Sequence, residues 1–212
     1  MSAMPVSAQE PPADITTPHI PDYRLAKVRP GGRVYFYHTS SLEGCPAMTD
    51  KCRRKGYVMP GDLVLISDTQ GALVLADYVK DGSWSEGRAA LIDVPVPPVG
   101  FASWLGTWSW GTLDRDSAML EIKRDKRPGF IAVHGLAFWT GRFPGAYQRG
   151  DINDGELEDR ARPNGRHIVF GKDAKGYGDC RVDMALIGPY LVADDNGQCG
   201  GLNVSFSGVY SR

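Results

Sequence analysis

The chain has 212 residues, 42% of them hydrophobic, with 26 glycines and 15 prolines. That apolar share supports real cores, and so many turn formers favour an all-β protein over a helical one. Twenty-four basic side chains against twenty-five acidic ones leave a formal charge of −1, so no whole-molecule field favours nucleic acid or an anionic membrane surface as a partner. Apolar stretches such as 63–66 and 73–76 fall far short of the roughly 20 residues that span a bilayer. At roughly 100 to 200 residues per domain, the length allows one large domain or two small ones.

Residues 1–30 carry six prolines, at positions 5, 11, 12, 18, 21 and 30, with no hydrophobic periodicity between them. Such a composition predicts an extended, flexible tether. Residues 1–13 lack the basic and apolar regions of a secretory signal, while Pro5-Val6-Ser7-Ala8-Gln9 resembles the small-residue end of one. The expectation is an exported protein from which the signal has been removed.

From residue 31 to 94 the pattern becomes one of short strands, predicted at 33–38, 57–58, 62–67, 72–80 and 88–92 and separated by glycine-containing turns. The long first connection contains Cys45 and Cys52; closing it is worth about 2 to 3 kcal/mol on a chain-entropy argument. Val34-Tyr35-Phe36-Tyr37, Lys55-Gly56-Tyr57-Val58-Met59-Pro60-Gly61-Asp62, Asp77-Tyr78-Val79 and the segment from Gly82 to Gly87 resemble a bacterial SH3-like domain. The resemblance spans about 60 residues and implies a small barrel. Tyr35 and Tyr37 share a strand face there and are candidate partner-binding residues for a peptide groove.

Val94-Pro95-Val96-Pro97-Pro98-Val99-Gly100 reads as a stiff linker, placed at 95–102. The second domain, 103–212, is predicted to hold eight strands at 104–111, 118–124, 130–139, 155–162, 167–171, 181–187, 190–194 and 203–211, which suits an antiparallel barrel or sandwich. Leu120 and Ile122 alternate with Met119, Glu121 and Lys123, and Val182, Met184 and Leu186 alternate with Arg181 and Asp183. Val204 and Phe206 stand likewise against Asn203, Ser205 and Ser207. One face is core and the other is wet. Gly188-Pro189 turns the chain into a hairpin that sets position 180 roughly opposite 197, which brings Cys199 near Cys180. Four cysteines allow three connectivities. The two crossed ones would tie the domains together across the proline linker, so one staple per domain is expected, in an oxidising compartment.

Trp104-x-Gly106-x-Trp108 and the closing Phe206-Ser207-Gly208-Val209-Tyr210-Ser211-Arg212 resemble the first and last strands of a lipocalin-like up-and-down barrel. Residues 191–206, including Asp194-Asp195-Asn196-Gly197-Gln198-Cys199-Gly200-Gly201, resemble the tail of small exported proteins grouped with bacterial lysozyme inhibitors. That resemblance implies a periplasmic setting and a role against cell-wall hydrolases. It carries over no functional residue.

The residues offer little for catalysis. His19, His38, His134 and His167 are scattered one to a segment, without Cys, Asp or Glu at ligand spacing, and no strained elbow presents a serine. Asp151, Asp154, Glu156, Glu158 and Asp159 concentrate oxygen ligands around Gly155, which suits a hard cation; the spacing is not that of an EF-hand, and Arg162 stands at the twelfth position. A solvated acidic turn is the plainer reading. Glu156 and Glu158 share a strand face, so they do not bracket a sugar as a glycosidase pair does. Trp104, Trp108, Trp110 and Trp139, with Phe138 and Phe143, form either core or an exposed aromatic patch.

The sequence therefore predicts no enzyme, no catalytic residue, no metal and no cofactor. It predicts a periplasmic inhibitor or immunity-type protein that blocks a peptidoglycan hydrolase, using the 39–56, 140–154 and 173–179 loops. The acidic residues Asp151, Asp154, Glu156, Glu158 and Asp159 would steer it to a cationic partner. Two alternatives stand beside this: an SH3-like module that binds peptidoglycan or its peptides, and a β-barrel that holds a small ligand in its lumen.

Overall fold

The structure, a computed structural model, describes residues 20, 23–38, 44–45, 47–70, 73–78, 83–86, 91–111, 116–141, 146–171, 173 and 178–212. It is all-β. In the first half, β1 (Arg24–Val28), β4 (Leu63–Gln70), β5 (Leu73–Tyr78), β6 (Ser83–Glu86) and β7 (Leu91–Asp93) form one antiparallel sheet in the order β6-β5-β4-β1-β7. A separate ribbon pairs β2 (Val34–Tyr37) with β3 (Arg53–Val58). Ala26, Val28, Val64, Ile66, Val74 and Ala76 from the sheet meet Phe36 and Val58 from the ribbon in one buried cluster. The disulfide Cys45–Cys52 closes the loop that leads into β3.

The position of β1 corrects the predicted tether. Residues 1–19 lie outside the described residues, but Arg24–Val28 is an inner strand of the sheet, hydrogen-bonded to β4 on one side and β7 on the other. Ile20 and Tyr23 already pack against a buried cluster. Proline ends the strand at Pro30 without preventing it.

The second half holds β8 (Gly106–Gly111), β9 (Ser117–Arg124), β10 (Ile131–Trp139), β11 (Asn153–Ala161), β12 (His167–Phe170), β13 (Val182–Ile187), β14 (Tyr190–Asp195) and β15 (Gly208–Tyr210). They make two four-stranded meanders, β11-β10-β9-β8 and β12-β13-β14-β15. The meanders meet at both edges. Ser109 and Ser211 exchange two main-chain hydrogen bonds of 2.8 and 3.0 Å between β8 and the chain end after β15. On the other side the Gly171 amide donates to Asp159 Oδ2 at 2.7 Å. The result is a barrel-like ring of consecutive neighbours.

Alternation fills the interior. Leu120, Ile122, Ile131, Val133, Val182, Met184, Leu186 and Leu191 point inward with Trp104, Trp108, Phe170, Phe206 and Tyr210 in a single buried cluster. Trp104 and Trp108 are fully buried, and Trp110 packs edge-on to Tyr210 at 6.5 Å, so these tryptophans are core and not an exposed patch. The 203–211 strand is shorter than expected, beginning at Gly208. The segment before it is held by side chains instead: Asp195 Oδ2 accepts from Ser205 Oγ at 2.9 Å and from the Phe206 amide, while Ser207 Oγ donates to Asp194. Asn196, in the Asn-Gly turn, accepts from the Arg181 amide at 3.1 Å and donates to Asp179 O at 2.9 Å.

Val182 is registered with Asp195, so two residues further along the hairpin position 180 lies opposite 197, and Cys180 bonds Cys199. The loop after Cys199 runs against Gly155 so closely that a Cβ there would stand 2.2 Å from Cys199 O; only glycine admits that approach.

The linker is not a free spacer. Leu25 and Leu65, on the sheet face opposite the ribbon, form a third cluster with Ala185, Ile187 and Val192 from the outer face of β13 and β14, and Val94, Val96 and Tyr190 pack into it. Tyr190 Oη donates to Leu63 O at 3.0 Å across this seam. The Gly188 turn, at φ 63°, comes so near that a Cβ would stand 2.7 Å from Leu25 Cδ2.

Candidate functional site

The outer face of β8–β11 has no such cover among the described residues. Antiparallel register arranges its outward residues in rows. Ala132 of β10 lies between Lys123 and Arg160, His134 between Glu121 and Glu158, and Leu136 between Met119 and Glu156. Met119 is 44% exposed, although it is large and apolar. His134 Nδ1 stands 3.6 Å from Glu156 Oε1, and Glu121 pairs with Lys123 at 2.7 Å. The face thus has an apolar centre at Met119 and Leu136, a flank of carboxylates, and a basic end.

The predicted acidic residues divide into three groups. Asp154, Glu156 and Glu158 point outward from β11, alternating with buried Gly155 and Leu157. Asp151 lies before the strand and is paired with Arg149 at 2.7 Å. Asp159 turns to the inner side of the alternation, where it accepts from the Gly171 and Arg160 amides at 2.7 Å each and ties β11 to β12. Asp159 is thereby a structural residue. Of the expected contact loops, 39–43, 46, 142–145 and 174–177 lie outside the described residues.

Tyr35 and Tyr37 lie on β2 with a register irregularity between them. Tyr35 lines a groove of about 400 Å³ together with Tyr57, Arg33, Arg53, Arg54, Lys55 and one carboxylate, Asp50, which pairs with Arg53 at 3.1 Å. The rings of Tyr35 and Tyr57 meet edge-on at 5.8 Å; Arg33 stacks on Tyr57 at 4.4 Å and Arg53 on Tyr35 at 5.1 Å. Tyr37 is not among the groove's lining residues. Sequence reading found one member of this ladder and missed its partner Tyr57, which cross-strand pairing in a hairpin would have supplied.

Among the described residues, two carboxyls have displaced proton affinities. Burial raises Asp183 on β13 above the ordinary carboxylate range, against the opposing pull of the Arg181 guanidinium. At the β9–β10 turn, a hydrogen bond from the Arg127 amide holds Asp125 below it. Burial also pushes the Tyr210 hydroxyl well up, where it donates to Phe206 O at 2.7 Å.

Neither family models, curated proteins nor solved structures yield a match to this chain. The two disulfides are compatible with an oxidising, exported location, and no helix among the described residues is long and apolar enough to cross a membrane.

Proposed function

We propose that this is an exported, non-enzymatic binding protein that docks on a cationic peptidoglycan hydrolase through the open face of β9–β11 and blocks its cleft. The observation that carries the reading is the face itself: exposed Met119 and half-buried Leu136 beside outward Asp154, Glu156 and Glu158 on a rigid sheet. An apolar centre with a charged rim is the anatomy of a protein interface, and a row of like charges speeds encounter with a partner of opposite sign. The tail resemblance to lysozyme inhibitors and the two disulfides point the same way. Inhibition of lysozyme-type and amidase-type hydrolases by the oxidised protein is the test. Expected is inhibition at micromolar concentration, lost in Met119→Arg and in the double variant Glu156→Lys/Glu158→Lys; inhibition that survives both, or none at all, overturns the reading.

One observation favours a second reading. The Arg33–Tyr57–Tyr35–Arg53 ladder lines a groove in the SH3-like segment, as a module that holds the acidic peptides of peptidoglycan would require. Retention on purified sacculi, lost in Tyr57→Ala, supports it; failure to be retained removes it.

A further inference from the structure

Where the β9–β10 turn meets the end of β11, Lys123, Arg124, Lys126, Arg127 and Arg160 line a groove of about 650 Å³ around a single carboxylate, Asp125. That carboxylate is already engaged. Its Oδ1 accepts from the Arg127 amide at 2.8 Å and from Arg127 Nε at 3.2 Å, and its Oδ2 lies 2.9 Å from Arg160 Nε. Its side chain is only 9% exposed. Both guanidinia are therefore held through Nε, and no Nη group of either donates a hydrogen bond among the described residues. The Arg127 guanidinium is further fixed over the Phe130 ring at 4.3 Å, and that of Arg124 lies over Phe101 at 4.8 Å. Lys123 is neutralised by Glu121, whereas Lys126 makes no ion pair among the described residues.

We propose that this groove binds the phosphate groups of a multiply phosphorylated ligand. A guanidinium anchored at Nε keeps its terminal donors in a fixed fork, the geometry that suits an oxyanion. A carboxylate offers two oxygens and is satisfied by one fork. A phosphate group offers three, so it can accept from Arg127, Arg160 and the Lys126 ammonium together. The groove is larger than one phosphate needs, which makes room for a second group of the same chain alongside Arg124. The groove is the basic end of the same face, but its test is independent of the docking proposal, since phosphate binding does not depend on any hydrolase being inhibited.

Two sources of such phosphates, a soluble phosphate chain and a cluster of lipid headgroups, are separated by two arms of one experiment. The oxidised full chain is titrated calorimetrically with sodium tripolyphosphate, and its flotation with phosphatidylglycerol vesicles is compared with that on phosphatidylcholine. Expected is one tripolyphosphate site at low ionic strength, weakened about tenfold by Lys126→Ala and by Arg160→Ala and left within about twofold by Lys55→Ala, which lies in the other basic groove. Arg160→Lys keeps the charge but not the fork and falls between. Vesicle flotation abolished by the same variants assigns the phosphates to lipid; tripolyphosphate binding without flotation assigns them to a soluble chain. Absence of both, or binding that Lys126→Ala leaves unchanged, overturns the proposal. Lys126 decides because its loss disturbs no contact of Asp125.

Discussion

The outer faces of β13–β14 and of β9–β11 belong to the same ring, yet one is covered and the other is open. On β13 and β14 the outward positions are Ala185, Ile187 and Val192, and the first-half sheet lies on them through Leu25 and Leu65. On β9–β11 the outward positions are Met119, Glu121, Lys123, His134, Glu156 and Glu158, and no segment among the described residues covers them. The difference is visible along each strand. β13 runs Met184-Ala185-Leu186-Ile187, buried without a break, because it is apolar on both faces. β9 alternates because only one of its faces is buried. A strand that loses its alternation in an antiparallel meander therefore marks an internal interface, and one that keeps it marks a surface left for water or a partner.

The largest expected effect comes from breaking the covered face. Leu65 is fully buried, and Leu65→Asp places an unpaired carboxylate in the seam, so it should cost at least about 4 kcal/mol and expose 94–100 to limited proteolysis. An unchanged denaturation midpoint would show that the seam contributes nothing. Next, replacing Cys180 and Cys199 by serine opens a loop with a sequence separation of 19, and should cost about 3 kcal/mol in denaturant unfolding. Loss of the staple acts on the ring and leaves the seam in place, so the linker should stay protected from proteolysis.

Tyr190→Phe is a finer probe of the same seam. It removes only the hydrogen bond to Leu63 O and should lower stability by about 1 kcal/mol, while Met119→Ala on the open face should stay within about 0.5 kcal/mol. Equal effects from the two would erase the distinction between the faces. The smallest effect concerns Asp183. Its proton affinity is raised in the folded state by burial, so the ionised form weakens folding: stability is greatest below the unfolded value of about 4 and declines as pH rises through the folded one. Asp183→Asn should therefore stabilise the protein at pH 7 and have no such benefit at pH 3, measured by thermal unfolding at both. A benefit at pH 3 equal to that at pH 7 would rule out the charge as its cause.

Much of this architecture can be read locally. The Gly188-Pro189 hairpin, the inward sets of β9 and β13 and the outward placement of Asp154, Glu156 and Glu158 all follow from a two-residue period and short turns. What escaped was long in sequence separation. Arg24–Val28 looks like part of a proline-rich lead because its partners, Leu63–Ile66 and Leu91–Asp93, lie far along the chain. Asp159 looks like its acidic neighbours, and only the Gly171 amide beyond the next turn shows that it is structural. Tyr57 and Arg53 joined Tyr35 only once β2 and β3 were paired.

Composition, cysteine spacing and strand alternation were enough for an all-β chain with one disulfide in each half and an antiparallel barrel or sandwich in the second, because hydrophobic period, turn chemistry and loop closure are properties of neighbouring residues. The covered seam, the open face of β9–β11 and the two-guanidinium groove around Asp125 are of another kind. Each depends on which surfaces meet after the strands have formed, and burial there is decided by long-range packing that leaves no period in the chain.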